Sequence, residues 1–248
     1  MRRLFSPLES IGADKITIRD KSQLHHIKDV LRLKPGEEIE VFDQKGRVYR
    51  GFIESLSAAE MVIKIKFKEE SAFAKDEVKI TVACAIPKKS KMEDIIDKLT
   101  QLGVEKIIPL QTERMIVRLD SRKEKARLAR WEKVALNAVE QCRGCRLPVI
   151  EPVTKIKDVL LMSGDYSLKL IPALIGERKE LKAVLKALRP SNIILLVGPE
   201  GDFTQGEVEA AIHAGFTPVT LGRRVLRVET AAIAVVSILK YVYTNTHE

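Results

Sequence analysis

Two stretches near the carboxyl end hold the residue types best suited to chemistry. In Leu195-Leu-Val-Gly-Pro-Glu-Gly-Asp-Phe-Thr-Gln-Gly-Glu207 an apolar run ends in a Gly-Pro-Glu-Gly loop, and Thr204 with Glu207 has the spacing of a capping box that opens a helix. In Leu221-Gly-Arg-Arg-Val-Leu-Arg-Val-Glu-Thr-Ala-Ala232 a second loop sets three arginines and a carboxylate between two apolar elements. In open α/β sheets, ligands sit at the carboxyl ends of strands, and glycine lets the backbone approach them closely. A tight strand-to-helix turn would use the same residues. The pattern is neither G-x-G-x-x-G nor a phosphate loop with its lysine. Arg223 and Arg224 suit a solvated surface; Arg227, hemmed by Leu226 and Val228, suits it less.

Charge points to the partner. The net charge is +9, and the middle third of the chain carries +6 of it. Residues 114–146 hold ten basic side chains against four acidic ones. A solvated helix face would also accept such a run. Seven of the ten are arginines, among them Arg114, Arg118, Arg122 and Arg143, and arginine favours planar, bidentate phosphate recognition. A polyanion, RNA or DNA, is the partner class this implies. An aromatic content of 5% leaves little room for a base-stacking platform; Phe203, beside the first loop, suits core packing. Cys142 and Cys145 form a single C-x-x-C far in sequence from His213 and His247, and zinc normally wants four ligands, so no metal is expected. His25 and His26 would point about 100° apart on a helix, a poor chelate, and read as surface or RNA-facing.

These groups need elements to hold them. The first ~70 residues read as a small β-rich barrel: Glu38–Phe42 alternates, Asp43–Gly46 is a turn, Arg47–Ile53 resumes an extended pattern and Met61–Phe67 alternates again. One helix interrupts them, with Asp20 as N-cap and Leu24, Ile27, Val30 and Leu31 at helical spacing, ended by Lys34-Pro-Gly36. Residues 71–77 are polar and make the linker, dividing the chain into domains 1–71 and 72–248. Beyond the linker strands and helices alternate. Val78–Ile86 is a β-branched run buried on both faces, Lys89–Leu102 a helix stopped by Gly103, and Ile107–Leu110 a strand. Ser121 and Glu124 cap a helix running to about Gln141. Strands follow at Ser167–Ile171, Asn192–Val197 and Pro218–Leu221, and helices at Lys179–Leu188, Gln205–Ala214 and Glu229–Tyr243. This β-α-β-α order predicts an open parallel sheet with helices on both faces. The Ala231–Leu239 run is apolar around its whole circumference, so its own domain or a second subunit must cover it.

A chain of 248 residues that is 45% hydrophobic and 31% charged is globular, with one large or two modest domains. No apolar run reaches the ~18 residues of a membrane span, and the amino end does not continue into a secretory signal. Three cysteines cannot pair evenly, which favours a reducing compartment. A soluble, cytoplasmic protein with no membrane partner is expected.

Gly-Pro-Glu-Gly followed by Leu-Gly-x-x-x-Leu-Arg-x-Glu-Thr-Ala resembles the RsmE family, the 16S rRNA (uracil(1498)-N3)-methyltransferases of the SPOUT class. The likeness runs through Arg2-Arg3-Leu4-Phe5, His25 to Arg32 and Pro35-Gly36-Glu37, similar to the family's PUA-like domain. It continues through Lys98–Pro109, Arg130-Trp131 and Glu140-Gln141. Asp202 stands where a second glycine is common, and Cys142-Arg-Gly-Cys145 where Ser and Arg are more usual. The resemblance implies a C-terminal trefoil-knotted α/β domain, an obligate homodimer, and S-adenosylmethionine as cofactor. It places the cofactor at Leu196, Gly198, Pro199 and Gly201 and at Leu221, Gly222 and Leu226, with Leu196 and Leu226 packing on the adenine. It adds Arg2, Arg3, Arg32 and Arg143 to the RNA contacts. The substrate would be 16S rRNA or the small ribosomal subunit. For removal of the uracil N3 proton, Glu200 or Glu229 is the candidate base, and Glu229 is equally suited to fixing Arg227; Arg227 would stabilise charge on the uracil oxygens. The rival readings are a SPOUT enzyme acting on another nucleotide and a non-catalytic rRNA-binding assembly factor.

Overall fold

The computed structural model describes residues 2–70, 78–87, 91–115, 121–142, 144, 146–186 and 188–243. Their contacts divide the chain into two compact units: residues 1–75 with 139–147, and residues 76–138 with 148–248.

The first unit is a curled five-stranded sheet of β1 (Arg2–Phe5), β2 (Lys15–Ile18), β3 (Glu38–Phe42), β4 (Arg47–Leu56) and β5 (Met61–Glu70), in the order β1-β3-β4-β5-β2. β1 runs parallel to β3 and the other pairs are antiparallel. Alternation puts Ile39, Val41, Ile53, Met61 and Ile63 into one core with Ile16 and Ile18. The β3–β4 turn is built on the fully buried Asp43. Its carboxylate accepts from the amides of Lys45 and Arg47, from Arg47 Nε and from the Tyr49 hydroxyl. Helix α1 (Lys21–His25) starts where the capping residue predicts, with Asp20 accepting from the Gln23 amide at 2.8 Å. It then widens into a π-helical stretch over His26–Val30. That extra residue in the turn rotates the apolar stripe: Leu24 and Ile27 are buried, but Val30 is 62% exposed.

The second unit is an eight-stranded, fully parallel sheet. Its strands are β6 (Lys79–Ala85), β7 (Lys106–Gln111), β8 (Val149–Ile150), β9 (Thr154–Lys155), β10 (Leu168–Pro172), β11 (Lys179–Glu180), β12 (Asn192–Val197) and β13 (Thr217–Thr220). The order is β11-β13-β10-β12-β6-β7-β8, with β9 also on β7. The helices are α2 (Lys91–Gln101), α3 (Ser121–Cys142), α4 (Ile156–Leu161), α5 (Leu181–Lys186), α6 (Gln205–His213) and α7 (Val228–Tyr243). α2 and α7 pack on each other. Ile156 and Val159 of α4, with Val208 and Ala211 of α6, share a core with Ala83, Ile194 and Leu196 of the sheet. Residues 80–85 of β6 are buried throughout, as expected of a strand covered on both faces. The short β8, β9 and α4 were not expected from the sequence.

Helix α7 is not covered all round. Val235, Val236 and Leu239 are buried, but Ile238 is 42% and Tyr241 90% exposed. No helix among the described residues is long and apolar enough to cross a membrane.

Candidate functional site

The strand order brings β10, β12 and β13 side by side, so the loops leaving their carboxyl ends converge. Together they line one open cleft. Val197, Gly198, Pro199, Glu200 and Asp202 form one wall, and Thr220, Leu221, Gly222, Arg224 and Leu226 another. The β10 loop adds Ala173, Leu174 and Arg178, a wall that the sequence did not reveal.

The first loop is fixed by its neighbours. Its end opens α6 through the expected capping box, with Thr204 accepting from the Glu207 amide and Glu207 from the Thr204 amide. A side chain at Gly198 would place its Cβ 3.0 Å from the Phe203 ring, which is wholly buried, so the ring would have to give way by a few tenths of an ångström. Asp202 adopts a left-handed φ of 60°, and its Oδ2 accepts from the Leu174 amide at 2.8 Å. The residue that departs from the common glycine thus ties the first loop to the β10 loop. Gly222 is demanded differently: its φ is 112°, and a Cβ there would meet open space.

Of the cofactor residues expected from the sequence, Gly198, Pro199, Leu221, Gly222 and Leu226 line the cleft. Leu196 does not. It points into the core shared with α4 and α6, because alternate strand residues face opposite sides of the sheet, and Val197 takes the wall. Gly201 is exposed beside the wall, its α-carbon facing the Arg114 stem.

Of the three catalytic candidates, Glu200 alone lines the cleft. Arg227, expected to be hemmed in, is exposed at the start of α7. Glu229 pairs with Lys91, Nζ to Oε1 at 2.8 Å. Hydrogen bonding from the Lys91 ammonium holds its carboxyl below the ordinary range, with burial opposing and Arg227 adding only a minor pull. A carboxyl so stabilised in its charged form is a poor proton acceptor, and no ion pair joins it to Arg227 among the described residues. Both roles expected for Glu229 therefore give way to pairing with Lys91, a residue the sequence reading passed over. Burial first, then the carboxylates of Glu229 and Glu200, push the Cys84 thiol at the end of β6 up to about 12.

The expected RNA contacts scatter. Arg2 and Arg32 are exposed, and Arg32 holds a left-handed φ of 53° directly after the π-helical stretch. Arg3 is turned inward. Its guanidinium lies over the Phe42 ring at 5.0 Å and its Nε is 3.4 Å from Glu40, so it serves the β1–β3 sheet. Arg114 donates to two backbone carbonyls of the first cleft loop. Arg118 and Arg143 lie outside the described residues, as does the Arg122 side chain.

Comparison with known proteins follows the same division of the chain. Residues 74–240 match the RNA methyltransferase domain family, and residues 10–66 the RNA methyltransferase PUA domain. The chain is 35% identical to the ribosomal RNA small subunit methyltransferase E of Synechocystis, over 85% of this chain and 68% of that protein. It is 30% identical to the Bacillus subtilis protein of the same name, over 88% of this chain and 87% of that one. Among solved structures, the Neisseria gonorrhoeae ribosomal RNA small subunit methyltransferase E bound to S-adenosylmethionine superposes with a TM-score of 0.85 at 30% identity, covering 98% of each chain. A Legionella pneumophila methyltransferase in complex with the same cofactor gives 0.87 at 29%, covering 96% of each. With both of its units accounted for in this way, the chain belongs to the RsmE family of RNA methyltransferases.

Proposed function

We propose that this chain transfers a methyl group from S-adenosylmethionine to N3 of the uracil at position 1498 of 16S rRNA, in the cytoplasm and as a homodimer. The observation that carries the reading is the single cleft walled by two glycine-bearing loops at the carboxyl ends of β12 and β13. The cleft fits the cofactor: Leu221, Leu226 and Pro199 offer apolar wall, the Gly222 backbone is open to close approach, and no metal is called for. When bound, the cofactor supplies an activated methyl on a sulfonium.

The protein's own work is to hold the uracil in line and manage one proton. Arginine cannot accept that proton. Glu200, on the cleft wall, is the group we assign to the N3 proton; Glu229 is paired with Lys91. Arg227, at the foot of α7, answers the charge left on the uracil oxygens. Positioning supplies much of the remaining acceleration.

The homodimer reading rests on an apolar groove of about 820 Å³ formed by Leu181, Leu185, Ala234, Ile238, Tyr241 and Val242. It shares Leu221, Gly222 and Leu226 with the cleft, so a second copy seated there would border the cofactor. The trefoil knot belongs to the same reading, as the arrangement that would lock the β12 and β13 loops together.

The decisive experiment maps methylated nucleosides in rRNA from cells with and without the protein. Loss of a single N3-methyluridine from small-subunit rRNA is expected. Loss of a different methylated nucleotide would move the activity to another substrate, and no loss would leave a binding factor.

A further inference from the structure

We infer that Arg114 is a positioning residue for the cofactor loop and not a phosphate contact. Its Nη1 donates to the Gly201 carbonyl at 2.7 Å and reaches the Phe203 carbonyl at 3.4 Å. Its stem lies against the face of Gly201 where a side chain would stand, with Cδ 3.7 Å from that position. The preceding residue completes a strap. The Glu113 amide donates to Glu207 Oε1 at 2.8 Å, and the Thr204 hydroxyl donates to Glu113 Oε2 at 3.2 Å. Glu207, only 8% exposed, spends its other oxygen on the Thr204 amide. The dipeptide Glu113–Arg114, one residue beyond β7, is therefore bonded to residues 201, 203, 204 and 207.

β7 is not a neighbour of β12, since β6 lies between them. The strap thus reaches across a strand to hold the loop whose preceding residues, Gly198 to Glu200, wall the cleft. On its other side that loop is tied to the β10 segment by Asp202. A loop held from both sides is ordered before the ligand arrives, which lowers the entropic cost of binding. Carbonyl acceptors of a cationic donor make stronger bonds than neutral pairs do, and Nη1 of Arg114 is committed to two of them. The charge at the start of the basic stretch is used to build the cofactor site.

The inference rests on the methyltransferase reading, and the test separates the two. Calorimetry with S-adenosylmethionine is run on the full chain and on Arg114→Ala, Arg114→Lys and Glu113→Ala. Binding of a small-subunit rRNA fragment is then measured at several salt concentrations with the cofactor saturating. Arg114→Ala is expected to weaken cofactor binding about tenfold, which is about 1.4 kcal/mol. Arg114→Lys should recover part of it through one restored donor. Glu113→Ala, which removes the Thr204 acceptor but leaves Arg114, should weaken it in the same direction and so guards against an Arg114 variant that fails to fold. RNA affinity and its salt slope should not move. Unchanged cofactor affinity in Arg114→Ala and Glu113→Ala overturns the inference alone. So does a salt slope lowered by about one in Arg114→Ala with normal cofactor binding, the mark of a lost phosphate contact. A wild-type chain that binds no S-adenosylmethionine takes down the functional reading and the inference together.

Discussion

Lys91 and Glu229 meet at 2.8 Å although 138 positions separate them in the chain. The pair joins the start of α2 to the start of α7, and it fixes the ionisation of the only carboxylate in the arginine-rich loop. A carboxyl whose pKa is lowered on folding stabilises the protein above its unfolded value and loses that contribution as pH falls through the folded value. Both side chains keep solvent contact, so the contribution is at most about 1 kcal/mol. Lys91→Ala should therefore lower unfolding free energy slightly at pH 7. The difference from wild type should begin to shrink as pH falls below the ordinary carboxyl value of 4.5 and vanish below the lowered folded value. Denaturant titrations at the two pH values check this.

The same pairing divides the two glutamates in catalysis. Glu200→Gln is expected to be slow at neutral pH and to recover as pH rises and N3 ionises unaided, whereas Glu229→Gln keeps its pH profile. Single-turnover rates across pH give the answer; alkaline rescue of Glu229→Gln instead would return the base to α7.

Arg227→Lys keeps the charge and loses the planar fork. Removing one donor of this kind costs ~10²–10³ in rate in other enzymes, so turnover should fall while cofactor affinity holds. Wild-type turnover in this variant would remove Arg227 from the chemistry.

Two glycines of the cleft should fail in different ways. Gly198→Ala brings a methyl to within 3.0 Å of the buried Phe203 ring, and overpacking of this kind costs about 1–3 kcal/mol of stability. Gly222→Val meets no clash but a forbidden φ, so its effect should be concentrated in cofactor binding. Melting temperature read beside calorimetric affinity distinguishes them.

A charge on α7 tests the groove. Tyr241→Glu, at a side chain 90% exposed in the single chain, should shift the proposed homodimer to monomer by light scattering without unfolding the chain. Val236→Glu, fully buried, should unfold it by leaving a charge in the core. A chain that is already monomeric before mutation would dismiss the dimer.

Local order was legible in the sequence; lateral order was not. Strand β12 and the Thr204–Glu207 cap stand where the residues predict, because each depends on neighbours a few positions away. The β10 loop could not be assigned to the cleft, since nothing in residues 168–178 says that their strand lies between β12 and β13. The side of the sheet that Leu196 faces is not legible in the sequence, because a strand buried on both faces shows no alternation to orient it. Arg3 and Arg114 look like surface cations in a list of charges, and only their distant partners, Phe42 with Glu40 and the carbonyls of Gly201 and Phe203, reveal their use. The segment between Val149 and Leu161 is too short in each of its pieces to show a period.

The parallel pairing of β6 with β12 joins Lys79 to Asn192, so one partner is synthesised more than a hundred residues before the other. Non-local parallel pairing of this sort is slow, and an unpaired apolar strand is exposed while it waits. The nascent chain must carry Ile80–Ala85 without its β12 partner until Asn192–Val197 has been made. Arrested chains ending before Asn192 should be cut readily by protease across β6, whereas chains extended past Thr220 should resist. An enzyme that modifies ribosomal RNA would in this way remain dependent, until β12 is made, on whatever shelters an open sheet edge near the ribosomal exit.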